Sequence, residues 1–122
     1  MKYKPDPKFI KTFETYPVMV DWDQTMERYI LHGLDPGGFF TSVLANDLMM
    51  AAARSHVHND WNCIQNLVKW IVQYAPPSAW GSYEAVNEWC NRSQAEREKI
   101  CEAMGLATTM WDVLTAKKIP QL

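Results

Sequence analysis

The chain contains no CxxC pair, no HxxxH pair and no Gly-Lys-Ser/Thr triplet. Their absence removes the usual structural zinc modules and the phosphate-cradling P-loop. No apolar run approaches the roughly 18 residues that a membrane span needs, so no membrane partner is expected. The first residues, MKYKPDPKF, lack the apolar core of a signal peptide. Cysteine is sparse and odd in number, three in all, which fits free thiols in a reducing, cytoplasmic setting. Charge of one sign is also missing. A net charge of −2 gives no field to draw in nucleic acid or anionic membrane. No stretch alternates apolar and polar residues as a half-buried strand would, and no internal repeat is visible.

What remains is a chain of 122 residues, 48% hydrophobic, long enough for one domain with its own core. Tryptophan is unusually common, at positions 22, 61, 70, 80, 89 and 111. Residues 1–20 read as an N-terminal arm with three prolines, in which Phe9, Ile10 and Phe13 fit a short helical turn ending before Pro17. Residues 21–122 read as a helical domain. Asp21 or Asp23 starts a helix carrying Met26, Tyr29 and Ile30, which Gly33 stops as a left-handed cap. A second helix is expected from about Pro36 to Arg54, with Phe40, Val43, Leu44, Leu48 and Ala51 on its apolar stripe. A third, from about Asn59 to Tyr74, repeats Ile64, Leu67, Val68, Ile71, Val72 and Ala75 and ends at Pro76-Pro77. Ser82 caps a fourth, Ser93 with Glu96 forms a capping box for a fifth ending at Gly105, and Thr108 or Thr109 starts a last helix to about Lys118. The expected fold is all-α, a compact single-domain bundle of five or six helices.

The stretch HGLDPGGFF places two glycines in front of an apolar helix. Helix N-termini bind phosphate through such backbone N–H groups. Here Asp35 as N-cap, Pro36 at the first helical position and Leu34 stapled to Phe39 explain the pattern as a corner between helices. The Asp35 carboxylate would repel an anion. Two glycines in a first turn cost about 1 kcal/mol each against alanine, so a close neighbour is expected there.

His56 and His58, two apart, do not share a helix face, and they read as loop residues with no metal role; Cys63, Cys90 and Cys101 read as small apolar residues. No catalytic constellation is recognisable, and no cofactor is called for. Asp47 falls on an apolar stripe and must be paired, with Arg28 or Arg54 as partners; an ion pair closing a two-helix corner and a ligand contact shared with Asn46 both fit. Trp70 and Trp89 sit on core stripes. Trp80, in the loop after two prolines, with Tyr83 close by, is the best exposed aromatic anchor. Trp80, Tyr83, Asn46, Asp47, Arg54 and Arg28 are therefore the candidate binding residues. If a nucleotide is held, Trp80 or Tyr83 stacks its base and Arg28 or Arg54 meets its phosphate.

Two segments, ERYILHGLDPGGFFTSVLANDLMMAAARS and LVKWIVQYAPPSAWGSYEAVNEW, share an HG-x-x-PG-x-F corner, a V-L-x-N-x-L helix and a P-x-x-x-W-G-S step. Over residues 27–89 the chain resembles small accessory proteins encoded by tailed bacteriophages. The resemblance implies a phage origin and stoichiometric binding, with counter-defence as the role: the partner is a host protein or a small nucleotide-like immune signal in the host cytoplasm. Surplus apolar surface also suits a homo-oligomer. The alternative is a helix-turn-helix DNA-binding regulator using residues 99–118, where Gly105 has the turn position but Trp111 and Asp112 stand where base-reading residues belong.

Overall fold

A computed structural model describes residues 11–16, 22–55 and 61–105. Six α-helices occur among them, with no strand: α1 (Trp22–His32), α2 (Gly38–Leu44), α3 (Leu48–Arg54), α4 (Trp61–Tyr74), α5 (Tyr83–Asn91) and α6 (Gln94–Ala103). A single 3₁₀ turn, Pro77–Ala79, links α4 to α5. The fold is an all-α bundle, and no helix among the described residues is long and apolar enough to cross a membrane. The expected helix over 108–118, the helix-turn-helix reading beyond Gly105, and His56 and His58 lie outside the described residues.

Helix α1 is the axis of the core. Trp22, Met26, Tyr29 and Ile30 recur at three- and four-residue steps and are all buried. Gly33, at φ +69°, ends the helix as expected, and its N–H donates to the Tyr29 carbonyl at 2.9 Å. Helix ends leave carbonyls without intrahelical partners, and here side chains of α5 and α6 take those of Ile30 and Leu31. Trp89 Nε1 donates to the Tyr29 and Ile30 carbonyls at 3.0 and 3.2 Å. Gln94 Nε2 donates to Leu31 O at 3.1 Å, and the Cys101 thiol to Ile30 O at 3.8 Å. The buried Arg97 guanidinium donates to the Trp89 and Arg92 carbonyls and to Gln94 Oε1. It lies so close to Gly33 that a β-carbon there would come 2.5 Å from Nη1. Its charge suits the negative C-terminal end of α1.

The expected single helix from Pro36 to Arg54 is two. Asn46 adopts φ +65°, and asparagine tolerates this left-handed region better than most residues. Asn46 N–H donates to Val43 O at 3.1 Å and Asp47 N–H to Ser42 O at 2.9 Å, the paired bonds of a Schellman ending. Asp47 then caps α3, its carboxylate accepting the Met50 N–H at 3.2 Å. The chain folds back into a helical hairpin. Arg54 Nη1 donates to Gly38 O at 3.2 Å and to Ser42 Oγ at 2.8 Å, whereas a continuous helix would hold residues 38 and 54 about 24 Å apart.

The start of α2 also differs from expectation. Its N-cap is Gly37, not Asp35. Gly37 has φ 92° and ψ 166°, a backbone region that is essentially glycine-only. Asp35 Oδ1 accepts the Gly37 N–H at 2.8 Å and so builds the turn before the helix. The cap shift takes Leu34 and Phe39 out of staple register; Leu34 is 52% exposed and Phe39 is buried. At Gly38 a β-carbon would meet Arg54 Cδ at 3.4 Å, an ordinary contact, so nothing among the described residues requires the second glycine.

Residues 11–16 pack on α4 and α1. Phe13 stacks on Trp70, with ring centres 5.0 Å apart, and meets Trp22 edge-on at 5.1 Å. Trp70 Nε1 donates to Thr12 Oγ1 at 3.0 Å, and Tyr16 O–H to Gln73 Oε1 at 2.7 Å. Trp70 and Trp89 are both fully buried, as their stripes implied. Ser82 and Ser93 cap α5 and α6 by accepting the Ala85 and Glu96 N–H groups, and Gly105, at φ +72°, follows α6.

Gly33→Ala is expected to lower stability by about 2–3 kcal/mol through a left-handed alanine and a displaced guanidinium. Urea unfolding should show that cost shrinking in an Arg97→Met background, whereas the cost of Gly37→Ala, about 1–3 kcal/mol of backbone strain, should be the same in either background. Equal, additive costs at both glycines would refute the Gly33–Arg97 packing.

Candidate binding surface

The kink at Asn46 is fastened from outside its own hairpin. The Gly81 N–H donates to Leu44 O at 2.7 Å, so the loop that carries Trp80 is tied to the end of α2. Gly81 has φ +120° there, which favours glycine. Ser82 starts α5, and its first residue, Tyr83, reaches back: Tyr83 O–H donates to Asp47 Oδ2 at 2.6 Å. Asp47 thus uses one oxygen for the Met50 N–H and the other for Tyr83. The Tyr83 hydrogen bond, then the Met50 N–H, then the Arg54 charge hold its carboxyl below the usual carboxylate range. Asp47 closes the corner as a cap and phenol acceptor, and the expected Arg28 pairing gives way to this arrangement.

Beside this kink runs an apolar groove. One part, about 200 Å³, is lined by Val43, Leu48, Ala51, Ile64 and Val68, with Asn46 and Asp47 at its rim. A smaller part, about 110 Å³, adjoins it through Val43, Asn46 and Val68 and extends to Val72 and Trp80. Apolar residues lining the groove are open to solvent: Leu48 is 56% exposed, Val68 41% and Val72 59%. Val68 and Val72 belong to the stripe that was expected to face the core. Ile64, Leu67, Ile71 and Ala75 of that stripe are buried as expected, together with Cys63 and Trp70. The bulk of Trp70 turns the buried face of α4 toward its own side, and the two valines rotate out.

Trp80 is half-buried and packs against the core rather than standing free. Its Nε1 is enclosed with no hydrogen-bond partner among the described residues. Arg54 lies behind the groove, its guanidinium turned to Gly38 and Ser42. Arg28 stands apart on α1, where its charge acts on Glu27 and His32. Of the six candidate residues, the structure therefore gathers Asn46, Asp47, Trp80 and Tyr83 at one kink, sets Arg54 behind them, and leaves Arg28 elsewhere.

Sequence reasoning missed the apolar half of this surface. A signal was present: α4 carries apolar residues at 64, 67, 68, 70, 71 and 72, more of the helical circumference than one buried face covers. It also missed a second concavity of about 350 Å³ at the α1–α2 corner, whose walls include Leu34, Asp35, Pro36, Thr41, Val86 and Asn87. Tyr83 and Cys90 line it too, so Tyr83 stands between the two concavities.

The titratable groups near this corner are poised for packing rather than for proton or thiolate chemistry. Burial pushes the Cys101 thiol up to about 12 and raises Cys90, to which the Asp35 charge adds. His32 is pushed down to about 4 by burial and by the Arg97 and Arg28 charges, so it is neutral at pH 7. Among the described residues no three His, Cys, Asp or Glu side chains converge as a metal set.

Set against known proteins, the chain matches no family model, no curated protein and no solved structure.

Two measurements test this geometry. Tyr83→Phe removes the phenol donor, so the Asp47 carboxyl should titrate at a higher pH in ¹³C NMR; an unchanged titration would contradict the 2.6 Å bond. His32 sits below its ordinary value of 6.5, at about 4. The unfolded chain therefore binds a proton that the folded one refuses, and stability falls as pH drops from 6.5 toward 4. In His32→Asn the decline of Tm across that window should be shallower than in the parent chain.

Proposed function

We propose that the protein acts by stoichiometric binding of another protein, holding an amphipathic helix of that partner in the groove beside Asn46. The carrying observation is the exposure of Leu48, Val68 and Val72 along two adjoining apolar concavities that share Val43, Asn46 and Val68. Contiguous apolar surface of this kind marks an interaction site, and a groove between helices suits a helix whose apolar anchors recur every three or four residues. A protein partner is favoured over a nucleotide-like signal by the fate of the cations. Arg54 is engaged by Gly38 and Ser42, Arg28 lies elsewhere, and the carboxylates in the two concavities, Asp47 and Asp35, repel phosphate.

The phage context rests on the resemblance over residues 27–89. Its three motif segments are the ones that make the Gly33–Gly37 corner, the Asn46 kink and the Trp80–Ser82 loop tied to Leu44. Surface-forming elements of this kind support a phage accessory protein that neutralises a host factor, with a host defence protein as its target in the bacterial cytoplasm.

Val68→Glu with Val72→Glu is the test. Both side chains are exposed, so the double variant should keep its Tm within about 2 °C. Native mass spectrometry of tagged protein recovered from phage-infected cells should show one host protein at a fixed ratio with the parent chain, reduced at least about tenfold in the variant, which corresponds to about 1.4 kcal/mol. Recovery of the same partner by both forms, of a bound small molecule, or of a self-dimer that the variant abolishes would overturn the reading.

A further inference from the structure

The corner concavity combines a carboxylate with a mixed apolar and polar lining. We propose that it binds a cation carried on an alkyl stem, of the class of a lysine or arginine side chain, with Asp35 as the counter-ion. Leu34, Pro36 and Val86 supply apolar wall for a methylene stem, while Asp35, Thr41 and Asn87 supply polar groups for its head. Such a mixed lining complements side chains that bury their stems and keep the charged end among polar partners. Asp35 is the one carboxylate among the described lining residues, which include no lysine or arginine. The carboxylate is held in place: its Oδ1 accepts the Gly37 N–H at 2.8 Å, at a backbone position that glycine alone adopts comfortably.

Arg97 is the competing charge, since its guanidinium abuts Gly33, which also lines the cavity. It is buried and directed at the Trp89 and Arg92 carbonyls and at Gln94. Asp35 lines the cavity whereas Arg97 does not. An anion is disfavoured by the Asp35 charge, and a purely apolar group would strip water from that carboxylate without replacing it.

The cation could come from a polypeptide or from a free amine, and one titration separates them. The full chain, ¹⁵N-labelled, is titrated with N-acetyl-arginine N-methylamide, N-acetyl-norleucine N-methylamide and agmatine. The arginine probe should shift the Gly37, Thr41 and Asn87 amides saturably at millimolar concentration, with the norleucine probe roughly three- to tenfold weaker. Asp35→Asn keeps an oxygen for the Gly37 N–H, so the turn is retained, and it should weaken the arginine probe by a similar factor. Saturation by agmatine at lower concentration than by the capped arginine assigns the site to a free amine. The reverse order assigns it to a basic side chain of a protein. Either order supports the cation site. Equal binding of norleucine, no change in Asp35→Asn, or no saturable shift overturns it. The Val68→Glu, Val72→Glu form should bind the arginine probe like the parent chain, so this site stands or falls separately from the groove.

Discussion

The C-terminal end of α1 presents carbonyls that its own helix cannot satisfy, and much of the fold is arranged to meet them. Trp89 serves the Ile30 carbonyl, shared with the Tyr29 carbonyl that Gly33 already meets, Gln94 serves that of Leu31, and Cys101 adds a weak thiol contact to Ile30. Buried carbonyls left without donors would each cost on the order of 1–3 kcal/mol, so α5 and α6 are tied to α1 by necessity as well as by apolar packing. The Arg97 guanidinium completes this arrangement against Gly33, where only the missing β-carbon leaves room. Tyr29 links the same point to the turn before α5, donating its hydroxyl to Ala79 O at 2.6 Å. One helix end therefore positions the Trp80 loop, α5 and α6 together.

From that anchor the surface features follow. With α5 placed, Tyr83 is set over the α2–α3 kink and reaches Asp47, and Gly81 reaches Leu44. The kink in turn divides what would be a long amphipathic helix into a hairpin. A straight helix would run its stripe along one neighbour. The hairpin instead turns Leu48 outward beside Val68, and an apolar groove opens at the join. Tyr83 lines the Asp35 concavity while its phenol reaches Asp47 in the groove, so one side chain links the two.

Helix positions were largely legible from local chemistry. Gly33, Pro76-Pro77, Ser82, Ser93 and Gly105 mark ends that the structure reproduces, because capping depends on a few neighbouring backbone groups. The kink at Asn46-Asp47 was also written locally, as a left-handed asparagine followed by an N-cap aspartate, but the apolar stripe running through it read as continuous helix. The stripe counts apolar residues at the right spacing; it does not register a single φ that changes sign. The turn at Asp35 shows the same limit. An aspartate before Pro-Gly-Gly fits an N-cap and an Asx turn equally well, and the φ of Gly37 decides between them.

The sequence by itself determined an all-α chain, the ends of most of its helices, and the burial of Trp70 and Trp89, since periodicity and capping are properties of short segments. It also singled out Asn46, Asp47, Trp80 and Tyr83, though for separate reasons. Only the tertiary structure decided that these four meet at one kink, that Arg54 turns inward to Gly38 and Ser42, and that Val68 and Val72 face solvent. The physical reason is that α4 offers more apolar surface than one neighbour can cover, and the volume of Trp70 selects which part of it is buried.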